Sequence, residues 1–435
     1  MAHAAVQGHF STAKVLIKFG ANLNHDLLYA ARRGYNKMVN FLLNEKAEID
    51  YASTKKETAL TLAIQEKQIE TVRILLKRGA NTDVKNTKGQ TPLMTAVLTG
   101  EIEIVKLIFQ NQKQDSFHVK INTADFIGNT ALMFSADKGF LEIATLLLER
   151  GAKVERINRW NETALMFASS KGFREIVSLL IKHGADIEAK DISEKTALLR
   201  ASQNGHLLTV EMLLLNGANL HFNSFDLGGE GGTALIQAAR NGHNDVLQKL
   251  LNEGAEINTT ELMFHHSALM AAALNGHLKS VKLLLDAGAD PMLRDTSQRT
   301  ALLLAATNNH LPVLKQLVNA KQNVGQTDSN GNCIWHLIAL IDGQKNTEVD
   351  SAEITKKDKD NLNLMKELIS HGISLDSINY NGETALMLAV KRENLKLVKI
   401  LLKLGASPDI ITPSGENALS LAKTSGNIEV LNLLR

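Results

Sequence analysis

The stretch TALMFASSKGFREIVSLLIKHGADIE, residues 163–188, reads as two short helices, each stopped by a glycine. Thr163 is a good N-cap, because its hydroxyl can accept from a first-turn amide, and the Ala, Leu and Met that follow are strong helix formers. Gly172 supplies the left-handed residue that ends the first helix; an apolar run then leads to Gly184, the second stop. Two stops so close together define an antiparallel helix pair. Helices of two or three turns are marginal alone, so the pair needs neighbours to cover its apolar face.

Those neighbours are encoded on both sides. Aligning the chain on itself puts Thr58, Thr91, Thr130, Thr163, Thr196, Thr233, Ser267, Thr300, Cys333, Thr384 and Asn417 in one register, with spacings of 33, 39, 33, 33, 37, 34, 33, 33, 51 and 33 residues. The glycine stops recur with them: Gly100, Gly139, Gly205, Gly242 and Gly276 after the first helix, Gly79, Gly151, Gly217, Gly254, Gly288 and Gly405 after the second. A period of 33 with a T-P-L-H-x-A core resembles the ankyrin repeat, and the match covers essentially the whole chain. TPLM at Thr91 keeps the first-turn proline, Pro92; TALM at Thr130, Thr163 and Thr384 replaces it with alanine. The resemblance implies an all-α ankyrin-repeat solenoid of stacked antiparallel helix pairs, with protruding turns, or fingers, and a concave groove. Residues 1–435 are then a single solenoid of about thirteen copies, the first and last incomplete and the second short of a turn segment. The ends read either as atypical capping repeats or as points where a longer chain continues.

Departures from the pattern carry their own expectations. Lys67 and Glu393 occupy the first-helix glycine slot, where a left-handed residue with a Cβ costs about 1–2 kcal/mol or another stop is forced, so those repeats should be locally softer. The steps of 39 and 37 residues place insertions near Gln110–Phe117 and at GGEGG, Gly228–Gly232, both in connecting segments. The step of 51 residues puts a polar insertion, residues 342–361, between the two helices of the repeat that starts near Cys333. A solvated loop is the expectation there, a partner-contacting finger the alternative.

Composition narrows the function. The 435 residues carry a net charge of only +2, which argues against nucleic acid, whose binding calls for a strongly basic face. No apolar run approaches the ~18–20 residues of a membrane span, so no membrane insertion is expected. A lone cysteine, Cys333, can form no internal disulfide and points to a reducing, cytoplasmic setting.

Catalytic chemistry is not expected either. Cys333-Ile-Trp-His336 falls on the slot filled elsewhere by Thr-Ala/Pro-Leu-His/Met, which makes Trp335 a core residue and Cys333 a stand-in for the cap. The resemblance makes His336 the structural histidine that ties adjacent turns together. His9, His206, His243, His277 and His310 recur with the repeat and belong to the scaffold. GGEGG lacks the Lys-Ser or Lys-Thr of a phosphate loop, and DKDN completes no calcium loop. The expectation is a non-enzyme without cofactor or metal.

Surface is what remains. By the resemblance, the groove is lined four, three and one residues before each cap and seven and eight after it. Those slots hold Phe126, Ile127, Asn129, Asp137 and Lys138; Arg159, Trp160, Glu162, Ser170 and Lys171; Ile192, Ser193, Lys195, Gln203 and Asn204. Phe126, Ile127, Arg159, Trp160 and Ile192 are the expected protein-binding patch, ringed by Lys138, Lys171 and Lys195; the bland alternative is packing of these apolar side chains on adjacent fingers. Secondary candidates are Arg240, Met263 and Phe264, then Tyr380, Lys391 and Arg392, whose isolated aromatics favour a packing role. The reading is a monomeric, non-catalytic scaffold that binds one or more protein partners along its groove. T-A-L-M repeats rich in Lys and Asn also resemble stand-alone ankyrin proteins that intracellular bacteria deliver as effectors into host cytosol. The alternative is a regulatory or targeting segment of a larger enzyme or channel.

Overall fold

The computed structural model describes residues 10–20, 22–110, 120–226, 228, 231–320, 325–340, 363 and 365–435. His9, most of the insertion near Gln110–Phe117, two residues of GGEGG and all of the 342–361 insertion lie outside the described residues. Among the described residues there is no β-strand, only three isolated bridges at finger bases. Contacts divide them into two compact units, one up to Ala201 together with Leu208–Ala218, the other Ser202–Leu207 with Asn219–Arg435.

Each first helix starts one residue after its expected cap, as in Ala59–Gln65, Pro92–Thr99, Ala131–Lys138, Ala164–Lys171, Ala234–Arg240 and Ala385–Lys391. The cause is local: Oγ1 of Thr58, Thr91, Thr130, Thr163, Thr233 and Thr384 accepts from the amide three residues on. Thr300 departs from this, its buried hydroxyl having no partner among the described residues. The shortened second copy begins directly at Leu23–Arg33, capped by Asn22, with no finger before it. At the helix ends the backbone turns left-handed whether or not glycine is present. Lys67, Asn309 and Glu393 adopt φ of 56°, 57° and 54° in the glycine slot.

Most second helices show one apolar face; Leu207–Leu215 departs from this, with Leu208 and Leu215 exposed. Arg174–Lys182 buries Ile176, Val177 and Leu180 and leaves its charged residues outward. The first helices meet through small side chains, Ala63, Ala96, Ala168, Ala238, Ala272, Ala305 and Ala389, all fully buried, so successive backbones approach closely. Glycine serves a second purpose here. A Cβ on Gly139 would fall 2.7 Å from the Phe173 ring of the next repeat, and one on Gly242 would fall 2.6 Å from His277 Nδ1. The His277 Nε2–H then donates to the Arg240 carbonyl at 3.0 Å, and His243 and His310 repeat the contact with Gln203 and Leu274. These histidines belong to the scaffold, as their period implied, and they serve it as repeat-to-repeat ties.

Candidate functional site

The fingers are built from one side chain each. Five residues before the cap stands Asn86, Asp125, Asn158, Asp191, Asp295, Asp328 or Asn379, and its Oδ1 accepts from the backbone amides two and four residues later. Asn158 takes Trp160 N and Glu162 N, both at 2.9 Å. Two residues before the cap the chain turns left-handed, through Gly89 and Gly128 or through Asn161 and Glu194. Between those points the two tip residues are thrust outward.

Tips of neighbouring fingers are tied by backbone hydrogen bonds. Phe126 N donates to Lys88 O at 3.2 Å, Arg159 N to Ile127 O at 2.9 Å and Ile192 N to Trp160 O at 3.0 Å. Lys88, Phe126, Ile127, Arg159, Trp160 and Ile192 therefore form one continuous row within the first unit. Lower down, Asn158 Nδ2 donates to Asn129 Oδ1 at 3.0 Å. Phe126, Ile127, Trp160 and Ile192 are 53%, 40%, 45% and 63% exposed, so the row is an apolar surface, though a half-covered one. Part of that cover is packing: the Phe126 ring lies over Gly89, where a Cβ would come within 2.8 Å of it.

Beneath the fingers the first helices supply a floor that the slot counting missed. Four residues after the cap, Arg200 reaches Asp191 and Glu162, and Gln237 Nε2 donates to Gly231 O, so this position faces the finger base. The equivalent residues in two neighbouring repeats are Phe134 and Phe167, both half-buried. Their signal was legible as ALMF, residues 131–134 and 164–167.

The charges of the site sort into used and unused. Asp137 pairs with Lys138 at 2.9 Å. Arg200 holds Glu162 at 2.7 Å and also binds the buried Asp191, while Glu162 accepts in addition from Asn158 Nδ2 at 2.7 Å. Lys88, Arg159 and Lys171 are exposed, and their side chains have no ion-pair or hydrogen-bond partner among the described residues. Lys195 corrects the expected rim. Only 9% exposed, it lies in the finger base with its amide on Asp191 Oδ1, because the turn that Asp191 closes folds this residue back under the tip.

The second unit carries the weaker candidates. Met263 and Phe264 are exposed, and Leu262 beside them and Phe225 on the preceding finger join them, two residues the sequence reading passed over. Here Glu261 closes the turn, its carboxylate accepting from Met263, Phe264 and His266 amides. His266 is buried against Phe264 and stands 3.4 Å from Asp295, whose other neighbour is Arg299 at 2.8 Å. Burial by itself would raise the Asp295 carboxyl; the His266 ring and the Arg299 amide and guanidinium outweigh it and hold the group below the usual carboxylate range. Arg240 is half-buried, with Nη1 donating to Gly231 O and so turned toward the finger base. Tyr380 is well exposed with its ring edge against Gly331, Lys391 is engaged by Glu383 at 2.6 Å, and Arg392 is exposed.

Cys333 and His336 meet, as their spacing allows, but inside the core. Cys333 N donates to His336 Nδ1 at 3.2 Å, and His336 Nε2–H donates to Glu383 O of the next finger at 2.9 Å. Burial pushes the Cys333 thiol up and the His336 imidazole down, which leaves both neutral. That is a structural tie between repeats. Among the described residues no group of three or more His, Cys, Asp or Glu is arranged to hold a metal, and no helix is long and apolar enough to cross a membrane.

Helix pairs, αL stops and hydrogen-bonded fingers define a repeat protein of the ankyrin class. The family model for ankyrin repeats (3 copies) matches in overlapping segments, 27–125, 78–158, 112–191, 153–226, 188–261, 235–328 and 269–347, and again over 354–435, and the chain belongs to that family. Its fold is a non-catalytic one, used generally for protein–protein interaction. Among solved structures the human ASB11 ankyrin repeat domain is similar over 54% of this chain and 99% of its own, with 25% identity and a TM-score of 0.48. No curated protein matches the chain.

Proposed function

We propose that this chain is a scaffold that binds a protein partner in the groove between the fingers around Phe126, Trp160 and Ile192 and the helices Ala131–Lys138 and Ala164–Lys171. The observation that carries this reading is the continuous row of exposed apolar side chains on adjacent fingers above the half-buried Phe134 and Phe167. Apolar area withdrawn from water there is worth about 25 cal/mol per Å². Because side-chain turns and backbone bonds already hold the tips, a partner meets an ordered surface and little of that gain is lost to ordering loops. A Trp beside an Arg at the centre of such a row is the composition of an interaction hot spot. The single cysteine, buried as a thiol, is consistent with a cytoplasmic setting.

Affinity capture tests the reading: the immobilised full chain is compared with a Phe126→Ser, Trp160→Ala, Ile192→Ser variant of unchanged circular dichroism. A partner retained by the parent and lost from the variant is the expected result. Equal retention places the site elsewhere on the chain.

A further inference from the structure

We infer that the groove selects an acidic partner segment, one that presents carboxylates beside one or two large apolar side chains; this rests on the groove being the binding site. The argument is one of which charges stay open to a partner. The carboxylates of these fingers and inner helices are engaged inside the protein: Asp125 and Asp191 accept from their turn amides, Asp137 holds Lys138, Glu162 and Asp191 share the one guanidinium of Arg200, and the exposed Glu194 beside the Ile192 tip is engaged as well. Below the row Asp83 pairs with Lys120 at 3.3 Å, and Glu155 and Arg156, farther down one finger, offset each other. Lys88, Arg159 and Lys171 remain exposed and unpaired, interleaved with Phe126, Ile127, Trp160 and Ile192.

On a near-neutral chain, net +2, the charges this face leaves open to a partner are thus cationic, and they stand beside apolar side chains. Unpaired cations beside apolar surface favour a partner that neutralises them while filling the apolar row, and they repel a basic one. A nucleic acid would answer the charge. It would not answer the aliphatic side chains Ile127 and Ile192.

The test uses a peptide array probed with the labelled full chain. Each 12-residue peptide carries two apolar anchors, Leu or Trp, at varied spacing, with the other positions Glu/Ser, Lys/Ser or Ser alone; a 20-mer of thymidylate is added as a polyanion control. The Glu/Ser set should bind at least about tenfold more tightly than the other two sets and weaken severalfold when salt is raised. Arg159→Gln with Lys171→Gln should remove that preference, and Trp160→Ala should weaken the anchored peptides throughout. Equal binding of all three sets with retained dependence on Trp160 overturns the acidic preference and leaves the groove standing. Glu/Ser binding indifferent to Trp160 overturns the groove as the site. Tighter binding of the thymidylate than of any peptide, or no set above background, also overturns the inference.

Discussion

Trp160 and Trp335 are the only tryptophans of the chain, and truncating each to alanine should separate surface from core. Trp335 is 1% exposed. A buried Trp removes roughly 150–250 Å² from water, and such truncations in cores cost about 3–5 kcal/mol including the cavity left behind. Its indole N–H has no partner among the described residues, so truncation also relieves a buried donor worth about 1 kcal/mol, and the expected loss sits near the lower end, about 3 kcal/mol. Trp160 keeps 45% of its surface in water. Losing the covered half, ~100 Å² at ~25 cal/mol per Å², is worth at most about 2.5 kcal/mol; with no closed cavity to leave and part of that area already covered in the unfolded chain, the cost is about 1.5–2.3 kcal/mol. Urea unfolding of the full chain, followed by far-UV circular dichroism, measures both. Single-Trp variants made with Phe assign the transitions, because each tryptophan lies in a different unit and long repeat arrays need not unfold in one step. Trp160 emission should also lie to the red of Trp335 emission. Equal losses for the two alanine variants, or a loss above about 3 kcal/mol at Trp160, would refute the surface assignment and with it the groove.

Two further outcomes follow from buried ionisable groups. The Cys333 thiol, raised by burial, should react with a disulfide reagent at pH 8 orders of magnitude more slowly in the native protein than in denaturant; rapid stoichiometric labelling of the folded chain would contradict its place in the core. Asp295→Asn keeps an oxygen to close the finger, as Asn86, Asn158 and Asn379 do, but removes the charge facing Arg299 and His266. A carboxylate held low in the folded state stabilises above its unfolded pKa, and that contribution is lost as pH falls through the folded value. The variant should therefore be less stable by about 1.5–3 kcal/mol at pH 7, and the gap in urea midpoint should start to narrow below about pH 4 and keep narrowing as pH falls further. A gap as wide at about pH 3 as at pH 7 would assign the loss to packing.

Much of the fold was legible because its signals are local. A cap acts on an amide three residues away and a left-handed stop on one carbonyl turn, so Thr163, Gly172 and Gly184 announce a helix pair without reference to anything distant. The same locality placed Trp335 in the core, since position within a 33-residue period decides burial, while the tie made by His336 was implied by the family resemblance. Even Lys67 and Glu393 took the left-handed turn their slot demands. The finger-closing Asp or Asn was equally readable, five residues before seven of the caps, and went unread only because the repeat was aligned on its helices.

The site depended on what the sequence places far apart. Arg200 meets Asp191 nine residues back and Glu162 thirty-eight residues back, and only the stacking of one repeat on the next brings the second carboxylate within reach. That contact decides which charges are spent and which are free. Lys195 sits in a slot that counts as rim yet is buried, because the turn around Asp191 folds it under the tip; Phe134 and Phe167 sit in a helical slot that counts as neutral yet form the floor. Sequence alone therefore determined the elements, their register and the identity of the core, through caps, stops and periodic burial. Tertiary structure decided which exposed side chains form one surface and what charge it shows, because both are properties of contacts between repeats and not of any single repeat.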